Sequence, residues 1–306
     1  MKIVLITKSN KNIYNSRINI DFLKKLAPLC DEFHVVKSFN KKTKKLIVNP
    51  EEVYNKYRPD VIMCHAQANL LDGFFKNIPC AKVIISVDFW KIIKNNRSSF
   101  YKNNKFDLVI NRGHIEEKNK KFLYSPSVWL PWSVDESDFF PVKKFDSKKR
   151  IIGFVGTNTN TYKIRNAAVK KLSAKNLLEI YGKTVEKYPR ILKKHIGILT
   201  SSEIGLLHAK LFEIMASGTV ALTNSFRDED NIFKNKICYA KFDSNMSDIV
   251  DVSREVINNI DMNKEMSLNA REEVLNYHTD DMRIKELYNH LDNLLSGKSI
   301  EKKWGS

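Results

Sequence analysis

The sequence predicts an α/β protein built from two doubly wound halves, each a parallel sheet wrapped by helices, with a helical C-terminal tail. Three observations carry this expectation. Short Val/Ile-rich runs recur along the chain, too continuous for a sheet with one wet face. Helical periods fall between most of them. The 306 residues suit two domains of about 150 residues each. Hydrophobic residues make up 42% of the chain, enough to fill two cores, so disorder is not expected.

In the first half, residues 2–7 (KIVLIT) read as a strand and 17–29 as a helix. Strand-like runs follow at 33–37 (FHVVK), 60–65 (DVIMCH), 82–88 (KVIISVD) and 107–111 (DLVIN). Residues 128–150 break the rhythm. Trp129-Leu130-Pro131-Trp132 and Phe139-Phe140-Pro141 carry two prolines and no helical period, and a basic run from Lys143 to Arg150 follows. This reads as an irregular connection, with the domain boundary near 145.

A second series begins with a strand at 150–156 (RIIGFVG) and a helix at 161–173. Strands at 176–181, 195–200, 219–223 and 237–242 alternate with helices at 184–194 and 208–217. Everything after residue 246 reads as helical: 247–259, 263–277 and 279–295. Ligands of such sheets sit at the carboxyl ends of the strands, where strand order reverses. With two such domains, the expected site is the cleft between them.

Composition narrows the class of function. The formal net charge is +17, which attracts polyanions or acidic membrane surfaces. A biased base composition of the genome, which yields a Lys/Asn/Ile-rich chain, is the alternative source of that charge. Cys30, Cys64, Cys80 and Cys238 form no CxxC pair and are expected as reduced thiols of a cytoplasmic protein. The N-terminus runs straight into a strand pattern, with no signal-peptide anatomy. No apolar stretch approaches the ~20 residues a membrane span needs. A peripheral position at the inner membrane surface stays open.

The most informative segment is 208–223, HAKLFEIMASGTVALT, a short helix that ends at Gly218 before a buried strand. Lys210 and Glu213, three apart, share one helical face. A carboxylate there can accept hydrogen bonds from both hydroxyls of a ribose, and a nearby lysine can neutralise a diphosphate. The alternative is an ordinary exposed i,i+3 ion pair.

The pattern KxFExMAxG followed by an apolar strand resembles the donor segment of group 1 glycosyltransferases. The similarity is strongest to the branch that includes the spore-maturation protein CgeB. Trp129 to Asp135 with Phe140-Pro141 resembles that branch's interdomain stretch. Ile152-Gly153-Phe154-Val155-Gly156-Thr157 resembles the first strand and loop of its nucleotide domain, with Arg165 shortly after. Ala270-Arg271 through His278-Thr279, then Arg283, resembles its closing helices. The resemblance implies the GT-B architecture, two Rossmann-like domains facing a cleft. Residues 1–145 would form the acceptor domain, 146–278 the nucleotide-sugar donor domain, and 279–306 a C-terminal helix and tail.

It further implies that Glu213 binds the donor ribose and that Lys210 lies near the diphosphate. Gly156 and Thr157 would let the backbone approach the phosphates, aided by the free N–H groups of a helix N-terminus. An Asn-rich helix cap is the alternative for that loop. Arg165 would reach the same phosphates, or simply lie on the surface. Many group 1 enzymes separate two donor-site glutamates by seven residues, whereas nine lie between Glu203 and Glu213 here. Glu203 therefore sits in a rearranged loop or is exposed.

The first half should supply the acceptor site and a base for the acceptor hydroxyl. Asp88 and His65 end predicted strands and are the first and second candidates. His114, after Arg112-Gly113, is the third. A strand-end polar residue that caps the next helix is the alternative for each. The loop Lys8–Asn15 is expected to shape the acceptor site.

Asp228-Glu229-Asp230 formally matches a metal-holding DxD but lies in a polar turn, so no metal or other cofactor is expected. Ser296-Gly297-Lys298-Ser299 lacks the upstream glycine of a phosphate loop, since Asp292 stands there. Three functions remain. The first is metal-independent sugar transfer to a surface glycan or lipid-linked saccharide, docked through basic residues such as Lys41, Lys42, Lys44 and Lys45. The second is sugar transfer to modified bases in DNA, as some phage enzymes perform. The third is a non-catalytic binding or assembly module of the same fold.

Overall fold

The computed structural model describes the chain except residues 8–19, 38–47, 66–74, 88, 90–97, 142–143, 183–187, 228, 234–237 and 301–306. It forms two compact units. One is Met1–Pro131 with Asp281–Ser306, and the other is Trp132–Asp280.

The first unit is a six-stranded parallel sheet. Its strands are β1 (Lys2–Thr7), β2 (Glu32–Lys37), β3 (Val61–His65), β4 (Ala81–Ser86), β5 (Leu108–Asn111) and β6 (Ser127–Trp129), in the order β2-β1-β3-β4-β5-β6. Helices α1 (Pro50–Tyr57) and α2 (Ser99–Asn104) lie between strands. Asn49 caps α1 by accepting the Glu51 N–H, and Pro50 follows at the first helical position, where a missing N–H costs nothing.

The continuous apolar strands are buried on both faces, and period-two alternation sorts their side chains. Val4, Ile6, Ile62, Cys64, Ile84 and Val109 pack with Phe75, Phe100, Tyr101 and Phe106 on one side. Ile3, Leu5, Val61, Met63, Val83 and Ile110 face the other side. Burial without a charged partner pushes the Cys64 thiol up to about 12, so it behaves as a small hydrophobe. Each central strand ends in a polar residue, namely Thr7, His65, Ser86 and Asn111. Thr7 pairs with His65 and Ser86 with Asn111 across the sheet.

The second unit is a five-stranded parallel sheet. Its elements are β7 (Lys149–Val155), α3 (Lys163–Ser173), β8 (Leu178–Tyr181), α4 (Tyr188–Leu192), β9 (His195–Leu199), α5 (Ala209–Ala216), β10 (Val220–Asn224), β11 (Ala240–Phe242), α6 (Ile249–Asn258) and α7 (Ile260–Tyr277). Strand order is β11-β10-β9-β7-β8. The chain leaves β7 for β8 on one side and then returns to β9 on the other, so strand order reverses between β7 and β9. Lys148 ties the amino edge of this sheet, donating to Thr219 Oγ1 at 2.7 Å and to the Lys193 carbonyl at 3.0 Å. Burial pushes its amine down to about 7.

The chain passes from one unit to the other after Pro131, ahead of the expected boundary near 145. The reason is packing. Val134 and Phe139 are buried within the second unit, and the Phe139 ring meets Tyr188 edge-on at 6.3 Å. Arg271 of α7 holds the carbonyls of Phe139 and Ala216. Gly218 adopts φ +61°, and a Cβ there would come within 2.9 Å of Pro141 Cβ, so only glycine lets the two backbones meet.

The last helix, α8 (Asp280–Leu295), was expected to form a tail separate from the first domain. Beyond its first residue it belongs to the first unit, where Ile284, Leu287 and Leu291 join Phe22, Leu23 and Leu26 against the sheet. Leu287 is fully buried. Leu287→Ala is therefore expected to cost about 2–5 kcal/mol of stability, read from urea unfolding. A cost near that of a surface substitution would contradict the placement of α8 in this core.

Candidate active site

The reversal of strand order places the loops after β7 and β9 side by side, where ligands of open α/β sheets collect. The chain leaves β7 at Val155 and turns through Gly156 at φ +142°, a conformation L side chains rarely adopt. It leaves β9 into Thr200-Ser201-Ser202-Glu203. Helix α5 follows and carries Lys210 in its first turn and Glu213 beyond it.

Lys210 reaches back across the sheet edge and donates to the Val155 carbonyl at 2.6 Å. A Cβ added to Gly156 would lie 3.1 Å from Lys210 Nζ, close enough that the ammonium would have to shift by a few tenths of an ångström. Burial, and secondly the charge of Arg165, push the amine down to about 8, while Glu213 acts in the opposite direction. Glu213 is only 1% exposed, and its Oε2 accepts the Tyr188 hydroxyl at 2.7 Å. A buried carboxylate is not half of an exposed ion pair, so that alternative for Lys210 and Glu213 is set aside.

Arg165 lies in the first turn of α3. Its guanidinium donates to the Thr157 carbonyl at 3.2 Å and, at 3.4 Å, to Ser201 Oγ. It stacks 4.2 Å above the Tyr162 ring. His208 Nε2 is 3.3 Å from Thr200 Oγ1. Burial first, then the charges of Lys210 and Arg165, push its imidazole down to about 3 and keep it neutral. Gly156, Thr157, Arg165, Lys210 and Glu213 are thus brought to one sheet edge.

The N-terminus of α3 is not open as expected. Glu203 fills it: Oε2 accepts the Ile164 N–H at 3.0 Å and Oε1 the Arg165 N–H at 2.8 Å. Neither of the expected situations for Glu203, a rearranged loop or simple exposure, captures this bridging role. Tyr188 and Ser201 also carry no motif in the sequence, and His208 opens the segment 208–223 with no role assigned to it there.

In the first unit, His65 ends β3 with Nε2 buried and no hydrogen-bond partner among the described residues. Burial, and the charge of Arg112, push its imidazole down to about 4, so it is neutral near pH 7. His114 stacks on Trp129 with ring centroids 4.9 Å apart. Arg112, which the sequence did not single out, is 2% exposed and lies 4.3 Å over the Phe22 ring. Asp88, the loop Lys8–Asn15 and the basic residues Lys41, Lys42, Lys44 and Lys45 lie outside the described residues.

Among the described residues, no group of three or more His, Cys, Asp or Glu side chains is arranged to hold a metal. Asp228 is outside the described residues, and Glu229 accepts hydrogen bonds from Tyr239 and Lys241. No helix among them is long and apolar enough to cross a membrane. His278 is buried against the Phe212 ring at 4.8 Å, and Thr279 pairs with Val134, so the histidine–threonine pair is structural.

Residues 165–289 match the family described as glycosyl transferase-like. No curated protein matches the sequence. Sucrose-phosphate synthase from Thermosynechococcus elongatus superposes with a TM-score of 0.68 at 12% identity, over 97% of this chain and 100% of its own. Anabaena HepE, in complex with UDP and glucose, gives 0.68 at 11% identity, over 96% and 100%. An alpha-glucosyltransferase in complex with UDP-glucose and DNA containing an abasic site gives 0.64 at 11% identity, over 95% and 99%. At such identities the likeness is one of fold.

Proposed function

We propose that this chain, a glycosyltransferase of the GT-B type by its fold and by the family match over residues 165–289, takes a nucleoside diphosphate sugar as donor. It passes the sugar, without a metal, to a surface glycan or lipid-linked saccharide at the cytoplasmic face of a membrane. Within the family we assign it to the branch that includes CgeB. One observation carries the donor reading: the buried Glu213 carboxylate stands on the same helix as Lys210, whose ammonium lies beside Gly156 at the reversal of strand order.

Glu213 accepts the two ribose hydroxyls. Lys210 and Arg165 face the diphosphate. As the bond between the sugar carbon and the phosphate oxygen breaks, negative charge grows on that oxygen, and the two cations stabilise it in place of a metal. The acceptor hydroxyl bonds to the sugar carbon and gives its proton to a base of the first unit. Asp88 is the first candidate for that base. His65 is the second, and its neutral imidazole is in the form a base requires.

Lys210 makes the donor site pH-sensitive. Its amine is charged below about pH 8 and neutral above. An anion binds the charged form better, so nucleoside diphosphate affinity is expected to be fully present below pH 8 and to fall as pH rises through it. Titration calorimetry with UDP from pH 6.5 to 9.5 reads this. A flat profile in wild type, or one that persists in Lys210→Met, counts against the contact.

A thermal-shift screen of nucleoside diphosphates and nucleotide-sugars, with and without magnesium, tests the whole reading. A rise in melting temperature with one nucleotide family, indifferent to metal and lost in Glu213→Ala, supports it. No shift with any nucleotide returns the non-catalytic module to the front. The charge of +17 favours a second acceptor, DNA. A steep loss of duplex binding with added salt, together with sugar transfer to a modified base, would select it.

A further inference from the structure

Helix α3 has no cap of its own. Tyr162 precedes it without a side-chain cap, and its first turn contains no acidic residue. The orphan N–H groups there instead receive Glu203, which lies 39 positions from Ile164 and 38 from Arg165. Glu203 also accepts the Ser201 hydroxyl at 3.1 Å, and Ser201 Oγ in turn is 3.4 Å from Arg165 Nε. One carboxylate therefore joins the loop after β9 to both the backbone and the side chain of the arginine that follows β7.

A helix N-terminus with open N–H groups attracts phosphate. Here a fixed anion of the protein already fills it with both oxygens. A diphosphate entering the site meets a carboxylate at the helix end, and beside it the cations of Arg165 and Lys210.

We propose that Glu203 is a positioning residue for the donor: its carboxylate caps α3, holds Arg165 at the sheet edge, and steers the diphosphate onto Arg165 and Lys210 rather than onto the helix N-terminus. This rests on the donor reading above. Glu203 acts through Arg165, by its backbone N–H and by way of Ser201. Binding of the diphosphate exchanges the bond from Arg165 Nη1 to the Thr157 carbonyl for a charge-assisted one, while Nε stays on Ser201.

The test compares UDP with UMP, because the outer phosphate is what a positioned Arg165 adds. Calorimetric affinities are measured for wild type, Glu203→Gln, Ser201→Ala and Arg165→Met, and for Glu203→Gln combined with Arg165→Met. Glu203→Gln is expected to weaken UDP about tenfold, in line with the loss of a charge-assisted contact, and to leave UMP nearly unchanged. Ser201→Ala keeps the cap and should weaken UDP selectively by a smaller factor. In the Arg165→Met background, Glu203→Gln should cause no further loss.

Equal weakening of UDP and UMP would mean that Glu203 only maintains the fold, and would overturn the proposal. Tighter UDP binding on removal of the carboxylate would overturn it in another way, by making Glu203 a competitor for the phosphate. Should Glu203→Gln fail to fold, a selective loss in Ser201→Ala carries the proposal and an unselective one rejects it. If wild type binds none of UDP, GDP, CDP and dTDP, the donor reading itself fails and this inference falls with it. If wild type binds and selectivity is unchanged in the variants, only this inference fails.

Discussion

Glu213→Ala is expected to weaken UDP binding by about 150-fold or more, at least roughly 3 kcal/mol, with the loss confined to the ribose. Hydrogen bonds to a charged acceptor contribute about 1.5–3 kcal/mol each, and a buried carboxylate facing a diol makes two. Glu213 is 1% exposed and already oriented by the Tyr188 hydroxyl, so little reordering accompanies binding. The signature is a comparison of UDP with its 2′-deoxy analogue. Wild type should prefer UDP clearly, because the analogue leaves a buried carboxylate oxygen unpaired. Glu213→Ala should bind both alike. If wild type shows no preference, Glu213 does not read the ribose. Tyr188→Phe removes the orienting hydroxyl and is expected to narrow the preference without abolishing it.

A second large effect is expected from Gly156→Ala, through two separable causes. The backbone there sits at φ +142°, and an L side chain forced into such a region costs about 1–3 kcal/mol. The added methyl would also stand 3.1 Å from Lys210 Nζ, pressing on the bond from that nitrogen to the Val155 carbonyl. The variant should therefore lose stability by about the strain energy, read in urea unfolding. It should also lose UDP affinity by a further factor of ten or so, as a displaced ammonium no longer faces the diphosphate. Lys210→Met separates the two. It removes the charge without straining the backbone, so affinity falls while stability holds or rises, a buried amine having been replaced by an apolar side chain. Combined with Gly156→Ala, it should add little further loss of affinity, since both act through one contact. Full additivity would mean that Gly156 and Lys210 serve the ligand independently.

The strands were legible because parallel sheets covered on both faces demand unbroken apolar runs, as in Ile3–Ile6 and Val61–Cys64. Strand β6 was not read as such: Ser127-Val128-Trp129 is too short to stand out beside Pro131. Prolines and aromatic residues look like a linker in sequence, which puts the expected domain boundary near 145, whereas the second unit begins at Trp132. In the structure, Val134, Phe139 and Pro141 pack against the body of the second unit. Lys210 and Glu213 could be paired from helical spacing alone, although spacing could not tell a buried carboxylate from an exposed one. Glu203 was out of reach for a different reason. Its partners Ile164 and Arg165 lie in an earlier loop–helix joint, and no local period records a cap supplied from the far side of a strand crossover.

The bridge between Val134 and Thr279 has a consequence for how the second unit can be handled. The Val134 N–H donates to the His278 carbonyl, and the Asp280 N–H to the Val134 carbonyl, so the segment's two ends are laced together. Residues between them form a closed circuit that begins and ends at one point, with its own sheet and its own core. Such a circuit meets the geometric condition for excision and transplantation, because a host chain need only offer two adjacent attachment points. New start and stop points can likewise be cut into its exposed turns once the original ends are joined. Among chains sharing this topology, the whole circuit can then be exchanged as one piece while the remainder of the chain is kept.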